Sequence, residues 1–338
     1  MRKPLLIYLF IALGASIASA QSTNKQKEKN PNSSFSQFIG GFSLHASTGF
    51  GMTFYSHEIN GPGILQQKDG NTFLFDNFYV VGDSINVGYS NWVNNATSTN
   101  NIPVGDEDFL LGSDTTAVKY RGVGGSIPLT LALSYSFDRY RFGGGFSYEQ
   151  SFSAKYYPNV ESNNLNALNT NYSTASIIRY YAYVGGEVFK SQRHTIAIDA
   201  MVGTYKFGKK KFNPDQIRTK LFVNIGVSFE RSLSEYFKVF VRPSAEFKSY
   251  ELDIPGLGYT VNHAMPALYV SVGAIIRMPD LNKCPVSQCH SQINHRHGRN
   301  VYRSKMHPFW KWQNPNYGQN YPELIKYKGK NKKKKNPY

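Results

Sequence analysis

PLTLALSYSF (Pro128 to Phe137), then Asp138-Arg139, then YRFGGGFSYEQ (Tyr140 to Gln150) is the stretch that decides the fold. Leu129, Leu131, Leu133, Tyr135 and Phe137 alternate with Pro128, Thr130, Ala132, Ser134 and Ser136. Successive side chains of a strand leave it on opposite faces, so this run has one apolar face and one small or polar face. Asp138-Arg139 is then just long enough to reverse the chain into a second strand. The pattern recurs. In Lys220 to Glu230, Leu221, Val223, Ile225, Val227 and Phe229 oppose Asn224, Gly226, Ser228 and Glu230. In Pro266 to Met278, Leu268, Val270, Val272, Ala274, Ile276 and Met278 oppose Tyr269, Ser271, Gly273 and Arg277.

The charges of these segments fall on the second face: Arg141, Glu149, Arg179, Glu187, Asp199, Glu230, Lys238, Arg242, Glu246, Lys248 and Arg277. Alternation alone fits both a soluble sandwich with charges in water and a lipid-facing barrel with charges in its lumen. Connection lengths separate the two. Asp138-Arg139, Lys190 to Arg193 and Ser232 to Glu235 are short, whereas about 57–116, 158–172, 208–216 and 251–264 are long and polar. Short turns at one end and long loops at the other are the outer-membrane pattern, with the turns periplasmic.

The expected fold is therefore an all-β, antiparallel transmembrane barrel over residues 37–278. Its strands fall near 38–56, 117–137, 140–157, 174–190, 193–207, 217–231, 236–250 and 265–278. A hairpin over Asn71 to Val81 and Asn86 to Val93 would raise the count from eight to ten. Eight strands leave a lumen that side chains fill, and mixed charges suit a plug better than a pore. The first long loop, Asn-rich with Asp106, Glu107 and Asp108 near its end, is of a length that is usually functional or disordered. Asn95-Ala96-Thr97 matches a glycosylation acceptor, a motif too frequent to weigh.

The front end agrees with export. Arg2 and Lys3 precede an apolar core from Leu5 to Ala18, and Ala18-Ser19-Ala20 is a small-x-small cleavage signal. Residues 1–20 read as a signal peptide and 21–36 as a periplasmic linker. No later window is apolar enough for a spanning helix. Aromatics at 15%, with 24 Tyr, 23 Phe and 29 Gly, suit a barrel with interfacial girdles.

Residues 279–338 form a basic tail, periplasmic by strand parity. It carries thirteen Lys or Arg against Asp280 and Glu323, which is +11 of the formal +16. Cys284, Cys289, His290, His295 and His297 lie within fourteen residues of it. Zinc takes four such ligands tetrahedrally and can order a segment too short to fold alone. A Cys284–Cys289 disulfide is the competing reading for an exported chain, and a merely basic surface is the third. Phe309, Trp310, Trp312, Tyr317, Tyr321 and Tyr327, interleaved with Lys and Pro and followed by Lys332, Lys333, Lys334 and Lys335, suggest an extended segment that docks on another protein. Candidate partners are an acidic protein complex of the periplasm or outer membrane, peptidoglycan, and anionic lipid headgroups of the outer membrane. The compartment excludes nucleic acid.

No catalytic constellation emerges. His57 and His263 sit on strands that neighbour each other once a barrel closes, but Glu58 is the single acid beside them and nothing orients the pair. They read as rim histidines. The Ala18-Ser19-Ala20 signal, Gly-rich strands such as Tyr140 to Phe146, and about 240 residues of alternation resemble the small outer-membrane barrels of the PorT/PorG type, found beside type IX secretion and gliding machinery. Asp76 to Ser84 is similar to a loop of uncharacterised barrels. The Cys/His and Lys-rich tail departs from compact members. The resemblance implies a non-enzymatic subunit linking the outer membrane to a periplasmic assembly. The competing class is an outer-membrane enzyme or small-solute channel that works through the barrel and its long external loop.

Overall fold

The computed structural model describes residues 38–76, 80–81, 84–112, 117–152, 155–159, 165–168, 170–191, 193–279, 281–289, 291, 293–298 and 300–304. The residues read as signal peptide and linker, and the aromatic, Lys-rich end of the tail, lie outside these residues.

Eight long strands, numbered here in chain order, make the wall. They are β1 (Phe42–Asn60), β2 (Ala117–Phe137), β3 (Tyr140–Phe152), β4 (Thr174–Lys190), β5 (His194–Phe207), β6 (Phe222–Ser232), β7 (Phe237–Phe247) and β8 (Ala267–Arg277). Each pairs antiparallel with the next in sequence. The ring then closes, because β1 also pairs with β8 from Ser43↔Arg277 to Thr53↔Ala267. Closure leaves these strands no free edge.

The sheet holds twelve strands in all, more than the expected eight. The additional four are short pieces at the long-loop end: Tyr157–Pro158, Ile217–Thr219, Ser249–Asp253 and Thr260–Ala264. The last three pair with one another and with Ser56 to Glu58 of β1, raising the wall on one side. The hairpin expected over Asn71 to Val81 and Asn86 to Val93 does not enter the ring. β1 pairs directly with β2, from Phe42↔Tyr135 to Asn60↔Ala117, and leaves no gap for it. The first long loop instead folds into a separate six-stranded sheet. Its own small core is Leu65, Phe73, Phe75, Ile85 and Ile102.

The polarity of the wall is inside out. Leu129 and Val270 are 56% and 55% exposed, while Glu149 and Lys248 on the opposite face are 0% and 4% exposed. A sandwich buries its Leu and Val face, so this distribution removes that alternative. Along β1 the exposed apolar side chains run from Leu44 to Phe54, and the exposed positions beyond are Glu58 and Asn60. Phe137, Tyr140 and Phe189 point outward at the short-turn end, and Phe54, Phe152 and Phe247 toward the long-loop end. Tight reversal at Asp138 uses a left-handed φ of 53°, which Asp tolerates better than most residues.

Inward glycines make room for the filling. A Cβ on Gly226 would lie 2.5 Å from the Arg242 guanidinium carbon, and one on Gly51 would lie 2.3 Å from the Tyr269 ring. Small residues on the inner face are therefore what lets Arg242 and Tyr269 cross a narrow lumen.

Candidate functional site

Three groups of side chains fill or close the barrel. The first is a ladder of ion pairs. Nearest the short turns, Arg141 reaches Glu230, with a second contact at 3.0 Å, and Glu187 at 2.7 Å. Lys238 adds a bond to Glu230 at 2.9 Å. Above them Arg242 holds Asp199 and donates to Asn224 Oδ1 at 2.7 Å, while Ser228 donates to Asp199 at 2.8 Å. Higher still, Arg179 bridges Glu149 and Glu246. Lys248 lies 3.0 Å from Glu246 and 3.4 Å from Glu149. Tyr269 Oη accepts from Lys248 at 3.0 Å and donates to Glu149 at 3.0 Å.

Five cations (Arg141, Arg179, Lys238, Arg242, Lys248) thus face five carboxylates (Glu149, Glu187, Asp199, Glu230, Glu246). Buried charges persist when every one is paired and hydrogen-bonded, which the alternating strands deliver. Of the residues expected in this network, Arg277 alone stays outside. It sits at the inner mouth and donates to the Gly40 carbonyl at 3.3 Å, joining no carboxylate among the described residues. Between the layers lies a cavity of about 70 Å³, room for a few waters, lined by His45, Tyr183, Asp199, Arg242 and Tyr269 among others. A second, of about 160 Å³, lies nearer the short turns and is lined by Ser43, Arg141, Glu187, Lys238 and Arg277 among others.

The second group closes the outer mouth. Tyr55, Trp92, Tyr120, Tyr156, Tyr172, Tyr205, Phe212 and Tyr250 form one buried cluster with aliphatic residues of the wall and loops. Polar contacts latch the loop sheet to its neighbours. Gln216 Oε1 accepts from Ala96 N at 2.9 Å, and Gln216 Nε2 donates to Ala96 O at 3.0 Å. Tyr250 Oη donates to Val93 O at 2.7 Å, and Gln66 exchanges bonds with the backbone of Asn166. His57 and His263 lie inside this cluster with Nδ1 atoms 2.6 Å apart and are fully buried. They are therefore not rim histidines. Ring closure brings them opposite each other at His57↔His263, as sequence neighbourhood suggested, but the loop sheet then covers them with Trp92. Thr260–Ala264 lies above the apolar belt, and there burial, with His57 beside it, holds His263 well below the usual histidine range. No acid joins the pair in any hydrogen bond or ion pair among the described residues. An isolated neutral pair has nothing to orient a nucleophile.

The third group is the Cys/His segment at the short-turn end. Cys284, Cys289, His295 and His297 bring one ligand atom each to within 4.8 Å of one another. The two cysteines are not bonded to each other in this structure, and Cys289 Sγ faces His295 Nε2 at 3.1 Å. His290, the fifth residue of the expected set, lies outside the described residues. So do Phe309, Trp310, Trp312, Tyr317, Tyr321, Tyr327 and Lys332 to Lys335.

No protein-family model matches the chain. No curated protein is similar to it in sequence. Among solved structures it is similar to the outer membrane protease OmpT of Escherichia coli, at 9% identity over 70% of this chain and 96% of that one, with a TM-score of 0.31. The outer membrane protein AlkL gives 12% identity over 74% and 93%, with a TM-score of 0.33. The Pseudomonas putida toluene transporter TodX gives 6% over 69% and 90%, with a TM-score of 0.16. The barrel assignment accordingly rests on strand pairing and on the inside-out polarity of the wall.

Proposed function

We propose that the chain is an eight-stranded outer-membrane barrel that serves as a non-enzymatic anchor, with its C-terminal segment docking a periplasmic or envelope-spanning complex. The observation that carries this reading is the filling of the barrel. Paired charges occupy the inner part, aromatic packing occupies the outer mouth, and cavities of about 70 and 160 Å³ remain in the lumen. A barrel so filled, with no nucleophile oriented for attack among the described residues, offers its surfaces and its extension as working parts. The exposed apolar belt suits lipid, and the short-turn end, which carries the Cys/His segment, suits the periplasm. The basic, aromatic tail suits an acidic protein partner, with the cell-wall polymer next. The resemblance to barrels of the PorT/PorG type belongs to this same reading, as do cleavage after Ala20 and a periplasmic tail.

The test is purification from native membranes in mild detergent, comparing the full chain with one truncated after Asp280. Loss of the co-purifying proteins with the tail is the expected result. Retention of the same proteins by the truncated barrel, or absence of any from the full chain, moves function to the loop sheet. The competing channel reading draws on the lumenal cavity and on the loop sheet, which would have to act as a lid. It predicts ion conductance in planar bilayers, and the anchor reading predicts none.

A further inference from the structure

We infer that Cys284, Cys289, His295 and His297 form a structural zinc site at the inner end of the barrel, a reading that goes beyond the anchoring role. Four observations carry it. The donor set is two thiols and two imidazoles, the composition of closed tetrahedral zinc sites. The ligand atoms all lie within 4.8 Å of one another. A tetrahedron with Zn–S of about 2.3 Å and Zn–N of about 2.0–2.1 Å has edges of roughly 3.3–3.8 Å. The group therefore closes on an ion with side-chain adjustment of about an ångström.

The second observation is the orientation of His295. Its Nδ1 lies 2.9 Å from the carbonyl oxygen of Ile293, and as donor there it leaves the Nε2 lone pair pointing at Cys289 Sγ. A ligating histidine whose other nitrogen donates to a carbonyl is the usual outer-shell arrangement of zinc sites, because it fixes the tautomer and the ring. The third is His297. Its Nε2 is buried and finds no hydrogen-bond partner among the described residues, while its ring meets that of His295 at 4.8 Å. A buried imidazole nitrogen left unsatisfied is costly, and a metal removes the cost.

The fourth is the backbone that presents the ligands. His295–His297 and Asn300–Tyr302 form a two-stranded hairpin, with Gly298 at a φ of +63° in its turn. Such a hairpin alone is marginal in water. Asn282 to Cys284 is strapped to its far end, as Cys284 N donates to Arg303 O at 3.0 Å and Arg303 N donates to Asn282 O at 2.9 Å. The Arg303 guanidinium lies 5.9 Å from the Tyr236 ring centre, in the β6–β7 turn, which seats the unit on the barrel. A single ion joining strap and hairpin supplies the folding energy that so small a core lacks. Soft thiolates select zinc over the hard cations of the envelope.

The experiment uses the full-length protein, isolated in detergent with no added chelator or reductant. Elemental analysis is expected to give one zinc per chain. Replacement by cobalt is expected to give the visible and near-ultraviolet absorption of a tetrahedral thiolate site. Cys284→Ser, Cys289→Ser, His295→Ala and His297→Ala are each expected to abolish stoichiometric zinc, a larger loss than the roughly 10–100-fold that a group behind the ligands controls. Unchanged heat-modifiable migration of each variant shows that the barrel still folds. A metal-free protein two mass units light, with thiols that react only after reduction, would mean a Cys284–Cys289 disulfide and overturn the assignment. Stoichiometric zinc that survives all four substitutions would overturn it equally.

Discussion

The inner and outer parts of the barrel are filled by opposite chemistry. Below, Arg141, Arg179, Lys238, Arg242 and Lys248 interlock with five carboxylates. Above, Trp92, Tyr120, Tyr156 and Tyr250 pack with aliphatic residues as in any soluble core. The difference follows from what each part is built of. The inner lumen is lined almost wholly by strand residues, whose outward neighbours are already apolar, so the inward set is polar and must satisfy itself. The mouth receives chain from four long loops and builds a core of ordinary kind. One closed wall thus holds two independent packing problems, and each has its own point of failure.

The largest effect is expected at Arg179, which bridges Glu149 and Glu246 together with Lys248. Arg179→Met leaves two buried carboxylates sharing Lys248 and is expected to cost about 3–5 kcal/mol, the scale for breaking a buried pair from one side. Denaturant unfolding in detergent measures it. Adding Glu149→Gln to Arg179→Met is expected to restore part of the loss, since charge balance returns. A double variant no better than the single one would mean that Arg179 acts by packing, and the contrast between the two regions would weaken.

The mouth fails differently, and with pH. Burial keeps His263 neutral in the folded protein, below its ordinary value of 6.5. The unfolded or uncapped state therefore binds protons more readily at mildly acidic pH. The stabilisation is complete above about 6.5 and is lost progressively as pH falls from there toward the depressed folded value. Hydrogen exchange in residues 61–112 is expected to accelerate over that window, with β3 to β6 unchanged. His263→Phe is expected to reduce the dependence, leaving the part that His57, buried beside it, contributes. Uniform acceleration across the wall would locate the sensitive group in the lumen instead.

The two regions also differed in how far the sequence disclosed them. Lumenal residues such as Asn224, Ser228 and Glu230 were legible because a wall strand has unlike faces, and period two then assigns each side chain. The loop sheet was not. Gly63–Gln66 and Thr72–Phe75 are buried at every position, so no alternation marks them as strands of a separate layer. A hairpin in the wall was the natural misreading of that segment. The approach of His57 to His263 was legible from ring closure, but their burial depended on Trp92, which arrives from that unread sheet. In the tail, spacing named Cys284 and Cys289 with His290, His295 and His297. It left metal and disulfide open, because that choice depends on where each donor points. Arg277 has the right parity for the network and misses it by height, which alternation does not encode.

The smallest effect is expected at Tyr250. Tyr250 Oη donates to the Val93 carbonyl at 2.7 Å, its ring stacks on His263 at 4.4 Å, and it meets Phe207 edge-on at 5.0 Å. Tyr250→Phe removes the bond and keeps the ring, so about 1 kcal/mol is expected, confined to the latch of the loop sheet. Faster protease nicking within residues 61–112, at an unchanged denaturation midpoint of the barrel, is the signature. Because ring packing governs the mouth, phenylalanine should suffice for most of Tyr250's contribution, whereas methionine should not suffice for Arg179. A midpoint shift from Tyr250→Phe as large as that from Arg179→Met would show a polar network continuous from lumen to mouth, and the two regions would be one.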